Sequence, residues 1–211
     1  MKNLIIIGAR GFGREAYNAF CGYYGNEKEW RVKGFLDSKS DALDGYAGYP
    51  PIIGSPEDYE VRSEDCFFCA MGDVKWRRYY AEMLLNKGGK FISIVSPKLK
   101  TDRNTTYGVG CFIEGNASIS CDIHIGDFTF IFGPSVLGHD VQVGDFCHLG
   151  AFTFMGGFSK LEDNVTLHPG AQVLPHKIVK QGAIVGAGSV VRKNLTAETT
   201  VMGVPAKKIE F

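Results

Sequence analysis

The sequence has no excess of charge. Lys plus Arg and Asp plus Glu each number 23 in 211 residues, so the formal net charge is zero. Nucleic-acid binders carry a basic excess to neutralise phosphates, and none is present, so nucleic acid is not an expected partner. Long apolar runs are also missing. No stretch approaches the roughly 18 apolar residues that span a membrane. The opening "MKNLIIIGARGFG" is apolar only briefly before glycines and the charged pair Arg14-Glu15. It reads as a buried strand and not as a signal peptide. Cysteines do not form a framework either: the six, at 21, 66, 69, 111, 121 and 147, are scattered. "CFFC" at 66–69 has CxxC spacing, but it sits in an apolar run with no second pair, so zinc or redox chemistry is not expected there. Free thiols in a cytoplasmic protein are the better expectation.

What is present changes character near the middle. The first hundred residues alternate strands with helices. "NLIIIG", "VKGFLD", "DCFFCAMG" and "FISIVSP" read as strands, the last ended by Pro97. "REAYNAFCGYYG" and "VKWRRYYAEMLLNKGG" read as helices, the second stopping at Gly88-Gly89. "SPEDY" predicts a further helix start, with Ser55 as N-cap and Pro56 at the first helical position. Such alternation indicates a small parallel sheet covered by helices, a Rossmann-like domain over residues 1–97.

From Ile113 onward the period is six. Ile113, Ile119, Ile125, Ile131, Leu137, Val143, Leu149, Met155, Leu161, Leu167, Val173, Val179, Val185 and Val191 are all aliphatic or Met. Four residues after most of these stands a small or β-branched residue, from Ala117 and Ile123 to Ser189, with Lys177 breaking the row. A six-residue period suits a β-helix in which each hexapeptide is one short strand plus one corner. Three hexapeptides make a triangular coil of 18 residues, so residues 113–191 give a little over four coils. Gly126, Gly138, Gly144, Gly150, Gly156 and Gly186 directly follow an aliphatic position, where glycine is expected to relax φ at the corners. A solenoid needs end caps, and "NLTAETTVMGVPAKKIEF" is the expected C-terminal one. This second domain covers residues 98–211.

Several residues carry candidate chemistry. Gly8, Gly11 and Gly13 form G-x-x-G-x-G between a strand and a helix, which departs from the dinucleotide G-x-G-x-x-G. Glycines there let a phosphate approach N–H groups at a helix N-terminus. Asp37 ends the second strand, where a carboxylate accepts hydrogen bonds from a ribose or a base edge. The plainer reading is a tight turn and a capping aspartate. His139 follows a corner glycine in "VLGHDV", where a neutral imidazole can take a proton from an attacking amine or hydroxyl. Neighbours on a strand face opposite ways, so Asp140 can orient His139 only through corner geometry. His148 lies nine residues on, half a coil away, and cannot stack on His139 within one chain. Gly157 lies 18 residues beyond His139, one coil above it at the strand spacing of about 4.8 Å, where its N–H can bind a developing oxyanion.

Hexapeptides ending in "GAIVGAGSVVRKNLTAETTVMGVPAKKI" resemble the left-handed parallel β-helix acyltransferases. With "IIIGARGFGRE" and "GFLD" ahead of them, the chain is similar to the bacterial sugar acetyltransferases of the sialic acid O-acetyltransferase and bacillosamine-type N-acetyltransferase group. The resemblance covers nearly the whole chain. It implies a left-handed coil, although the general rule for parallel crossovers gives the opposite hand. It implies acetyl-CoA as co-substrate on the β-helix, with Gly157, Gly186 and Lys207 at its site, and no metal. It further implies a nucleotide-sugar on the N-terminal domain, a homotrimer, His139 as base with Asp140 orienting it, and His148 near the acetyl group. The expected activity is acetyl transfer to a sugar, amine or hydroxyl, for surface polysaccharide or glycan.

Two departures bear on this. Bacillosamine-type relatives carry histidine where Phe12 stands. Sugar acetyltransferases of the group it resembles often read I-N-T before the base, where this chain has "IFGPSVLGHD", so Phe132 and Pro134 predict a more apolar acceptor pocket. Two rival classes exist. A degenerate, non-catalytic scaffold would lack a working base. Hexapeptide-repeat carbonic anhydrases bind zinc through histidines that include an H-x-x-x-x-H pair, and the spacings here, 15, 9, 20 and 8, contain none.

Overall fold

The computed structural model describes residues 2–25 and 29–209. Two compact units make up the chain, Met1–Ile94 and Val95–Phe211.

The first unit is an α/β fold. Its parallel sheet has the order β2-β1-β3-β4, with β1 Lys2–Ile7, β2 Trp30–Leu36, β3 Asp65–Cys69 and β4 Lys90–Phe91. The apolar run Leu4–Ile7 is fully buried because β1 is central, paired on both sides. Helices α1 (Gly11–Tyr24) and α2 (Val74–Asn86) follow β1 and β3. Asp73 caps α2 by accepting the Trp76 N–H at 3.0 Å. At its other end Gly88 takes φ +83°, which ends the helix as the Gly-Gly pair predicts.

Two expectations about this unit need correction. The "SPEDY" helix is a single turn: Ser55 Oγ does accept the Asp58 N–H at 3.1 Å, as an N-cap would, but no helix follows. Lys87 holds that turn instead, donating to the carbonyls of Pro56 and Tyr59 at 3.3 Å and to that of Glu57. The last predicted strand, "FISIVSP", divides into β4 and a separate strand Ile94–Val95 that belongs to another sheet.

The second unit is the left-handed β-helix. Two-residue strands repeat every six residues and stack into three sheets of eight, five and five strands, parallel up to the final pair. Partners are one coil apart: Val136 faces Phe154 and Leu137 faces Met155. All fourteen aliphatic positions from Ile113 to Val191 are buried, none more than 4 % exposed. The companion row is buried too, and Thr129 and Ser135 satisfy their hydroxyls on the carbonyls of Gly144 (2.8 Å) and Phe132 (2.6 Å). Lys177, the break in that row, is only half-buried. At the C-terminal end, strand Thr200–Met202 turns back antiparallel onto Lys207–Lys208 and closes the coil. Glu210 and Phe211 of the expected cap lie outside the described residues.

The corner glycines act differently from expectation. None of Gly126, Gly138, Gly144, Gly150, Gly156 and Gly186 is left-handed. The left-handed residues stand three before a core aliphatic, and most are not glycine: Asp122, Phe128, Asp140, Phe146, Phe152, Phe158, Asn164 and His176. The glycines are needed for close approach. A Cβ on Gly126 would lie 2.3 Å from Asp145 Oδ1, and one on Gly144 would lie 2.4 Å from Asp163 Oδ1. Those carboxylates form a ladder along one edge: Asp145 accepts the Asp127 N–H at 2.8 Å and Asp163 accepts the Asp145 N–H at 2.9 Å.

Candidate active site

His139 and Asp140 meet because of a backbone turn. Gly138 ends the strand Val136–Leu137 and lies tightly under the next coil, since a Cβ there would be 2.9 Å from Gly157 N. Asp140 then takes φ +59°, in the left-handed region. That rotation brings consecutive side chains to the same side, and His139 Nδ1 sits 2.8 Å from Asp140 Oδ2. A carboxylate only accepts, so Nδ1 carries the hydrogen and Nε2 keeps its lone pair. The pair is open to solvent, with His139 56 % and Asp140 40 % exposed at the side chain.

Gly157 stands directly against the free edge of the ring. A Cβ on Gly157 would lie 2.8 Å from both Cε1 and Nε2 of His139. Its carbonyl accepts the His176 N–H at 3.1 Å, while among the described residues no acceptor takes its own N–H. The expectation that Gly157 lies one coil above His139 is therefore met in space.

Three more residues gather near the base, none of them among the site residues expected from the sequence. Phe158 meets His139 edge-on at 5.2 Å, and His176 stacks on Phe158 at 5.0 Å. Asp122 lies one coil below Asp140 at the same left-handed position. The hydrogen bond from Asn104 (2.7 Å), together with Cys121 and the nearby His139, holds the Asp122 carboxyl below its ordinary value. The signal was available: 122, 140, 158 and 176 are one column stepping by 18.

His148 is elsewhere. It lies on strand His148–Leu149, in the sheet of Phe130 and Thr166, whereas His139 follows a strand of a different sheet. Phe132 packs on it, ring centroids 5.2 Å apart, so the apolar departure expected to line the acceptor pocket falls beside His148. Gly186 lies under Met202, whose Cε would be 3.0 Å from an added Cβ. Lys207 lines a cleft of about 340 Å³ with Val191, Arg192, Lys193, Leu195 and Pro205. Three cations therefore surround an apolar hollow. Among the described residues no group of three or more His, Cys, Asp or Glu could hold a metal ion.

The first unit holds a second candidate site. Gly8 takes φ +92°, and Gly13 lies so close to the loop that a Cβ would be 1.9 Å from Gly8 O. A Cβ on Gly11 would meet nothing within 4 Å, so the middle of the loop faces open space. Helix α1 begins at that point with no side-chain cap. Asp37 is buried, and both oxygens are engaged: Oδ2 accepts the Ala9 N–H and Oδ1 the Lys39 N–H, each at 2.9 Å. It thus holds the glycine loop in place, which is the capping role. Each oxygen retains a second lone pair for a ligand. Phe12 turns its ring onto Phe68 at 6.3 Å and offers no polar group to a phosphate. A pocket of about 320 Å³ opens between Gly8, Arg10, Asp37, Met71, Trp76 and Tyr80.

Comparison with known proteins places this arrangement. Residues 3–84 match the family described as the PglD N-terminal domain. GDP-perosamine N-acetyltransferase of Escherichia coli O157:H7 is 32 % identical over 168 residues, covering 72 % of this chain and 76 % of that protein. The crystal structure of PerB from Caulobacter crescentus, in complex with CoA and GDP-perosamine, superposes with TM-score 0.86 at 25 % identity, covering 100 % of this chain and 98 % of that one. The acetyltransferase domain of PglB from Neisseria gonorrhoeae FA1090, in complex with acetyl coenzyme A, shares the fold at TM-score 0.86 and 22 % identity, covering 99 % of each chain. An α/β domain followed by a left-handed β-helix with an exposed, carboxylate-paired histidine is the architecture of an acyltransferase. The chain belongs to the bacterial sugar N-acetyltransferases of the hexapeptide-repeat family.

Proposed function

We propose that this enzyme transfers acetyl from acetyl-CoA to the amine of a nucleotide-linked amino sugar. The observation that carries the mechanism is the His139–Asp140 pair with Gly157 against its free edge. Acetyl-CoA is the co-substrate. Nε2 of His139 takes a proton from the sugar amine as its nitrogen attacks the thioester carbonyl. A C–N bond forms and the C–S bond breaks, and CoA leaves as a thiolate that takes up a proton. The Gly157 N–H stabilises the oxygen that becomes negative during attack. Asp140 keeps the proton on Nδ1 and stabilises the imidazolium that results. Arg192, Lys193 and Lys207 suit the phosphates of the coenzyme. Gly8, Gly11 and Gly13 at the start of α1 suit the diphosphate of the sugar, and the relative that acts on GDP-perosamine supports that class of acceptor.

The reading extends to a homotrimer with the site between copies, and one face of this β-helix supports it. Val136 and Phe154 are neighbours in register on the same sheet and are 43 % and 37 % exposed, and Phe152 beside them is 68 % exposed. Threefold packing would bury these rings and bring the partner subunit's His148 toward His139. Sedimentation should give about 69 kDa, three times 23.1 kDa. A stable monomer at micromolar concentration would remove the shared site. All six cysteines are free, which fits the reducing cytoplasm where acetyl-CoA and nucleotide-sugars are found. Among the described residues no helix is long and apolar enough to cross a membrane.

The activity is tested by thiol release from acetyl-CoA against GDP-, UDP- and dTDP-linked amino sugars and their hydroxyl counterparts. Release should require the amino sugar and fall about 10²–10⁴-fold in His139→Ala. Equal rates with the hydroxyl sugars would make the enzyme an O-acetyltransferase. No release from any acceptor would favour a non-catalytic scaffold.

A further inference from the structure

Trp76 is unusual in this fold. It stands in the first turn of α2, and it is 52 % exposed, although indole is among the most costly groups to leave in water. Its plane is nevertheless fixed. It stacks on Tyr80 at 6.0 Å with 28° between the rings, and it meets Tyr79 edge-on at 5.8 Å. Its backbone is held by the Asp73 cap at 3.0 Å. An exposed aromatic that is already oriented needs little ordering on binding, which is what a stacking platform requires.

The topology places it at the phosphate loop. Sheet order β2-β1-β3 sets the glycine loop after β1 between the end of β2, where Asp37 lies, and the end of β3, which leads through Met71 to Trp76. All of these line the same pocket of about 320 Å³. Met71 closes on Gly8, since an added Cβ there would be 3.4 Å from both Sδ and Cε. Tyr80 forms the wall behind the indole, its phenol pushed up to about 12 by burial and by the neighbouring Glu57, so it remains a neutral donor.

We infer that Trp76 is the platform on which the nucleobase of the sugar nucleotide stacks, and that it makes the enzyme prefer purine over pyrimidine diphosphate sugars. This rests on the reading that the Gly8–Gly13 loop holds the diphosphate. A bicyclic base covers the bicyclic indole more fully than a single ring does, and stacking grows with the area overlapped. The Asp37 carboxylate opposite has spare lone pairs for N–H donors, which guanine presents side by side on one edge.

The chain has two tryptophans, so Trp30→Phe leaves Trp76 as the sole indole reporter. In that background GDP should quench the fluorescence, and calorimetry should show tighter binding of GDP than of UDP or dTDP. Trp76→Ala should weaken GDP about five- to hundred-fold and bring the purine-to-pyrimidine ratio near one. Trp76→Phe, which keeps a smaller ring, should fall between, and KM for acetyl-CoA should not move in either. The ratio is the deciding readout, because a mere loss of packing would weaken all nucleotides alike. A Trp76→Ala protein that keeps the parent's affinity and preference for GDP overturns the inference while leaving the nucleotide site standing. Equal weakening of all nucleotides also overturns it. A parent that binds no nucleotide sinks both the inference and the reading beneath it.

Discussion

Replacing Gly157 by alanine separates catalysis from folding. Gly157 is not left-handed, so alanine suits its backbone. The added Cβ would be 2.8 Å from Cε1 and Nε2 of His139. Carbon contacts prefer about 3.5 Å or more, so the imidazole must retreat by roughly 0.7 Å. It can do so at little cost to the fold, because the ring is more than half exposed and no backbone atom is in the way. Stability should therefore stay within about 0.5 kcal/mol of the parent. Activity should not survive so well. Moving the ring stretches its 2.8 Å bond to Asp140 and shifts Nε2 from the acceptor nitrogen, and displacements near 1 Å cost about 10²-fold. Thiol release measured under saturating acetyl-CoA gives kcat, and denaturant unfolding gives the stability. The control is the double variant with His139→Ala, in which Gly157→Ala should add almost nothing because the ring it displaces is gone. Full kcat in Gly157→Ala would refute the reasoning. An equal loss in both backgrounds would show that Gly157 acts through its own N–H or through coenzyme contact and not through the base.

Asp140→Asn should cost less kcat than His139→Ala in the thiol-release assay, since asparagine tolerates φ +59° and leaves the base present. Gly126→Ala should destabilise by about 1–3 kcal/mol in urea unfolding, because its Cβ meets the Asp145 carboxylate and, at 2.6 Å, the Gly144 backbone, neither of which can yield as a surface ring does. Asp65 provides a pH test in the first unit. Burial alone would raise its pKa, but hydrogen bonds from Asn3, Tyr59, Lys33 and the Arg62 N–H outweigh it and hold the carboxyl below its ordinary value. Its stabilisation is thus present above the unfolded carboxylate pKa and lost as pH falls through the lower folded value. Tyr59→Phe should cost about 1 kcal/mol at neutral pH, and the gap to the parent should narrow in acid, as read from Trp30 and Trp76 fluorescence; a gap constant with pH would contradict the assignment.

The six-residue period determined the β-helix from the sequence alone. Each hexapeptide points its strand's aliphatic residue into the coil, so the row from Ile113 to Val191 had to be aliphatic, and every member is in the core. Lys177 breaks the companion row in both sequence and structure, because a long cation reaches out toward water instead of joining the core. The same period placed Gly157 over His139, since residues 18 apart share a corner. Local signals misled where tertiary partners decide. Ser55 offered a cap, but Lys87, 32 residues away in sequence, takes the turn's carbonyls and no helix continues. The corner glycines seemed to supply φ, whereas they leave room for carboxylates and backbone one coil away, and a single strand's sequence cannot show what lies above it. Trp76 looked like one residue of an amphipathic helix, and only the order β2-β1-β3 brought it to the glycine loop. His139 and Asp140 were legible as residues, but their contact depended on the left-handed turn at Asp140, a backbone state set by stacking between coils and not by the dipeptide.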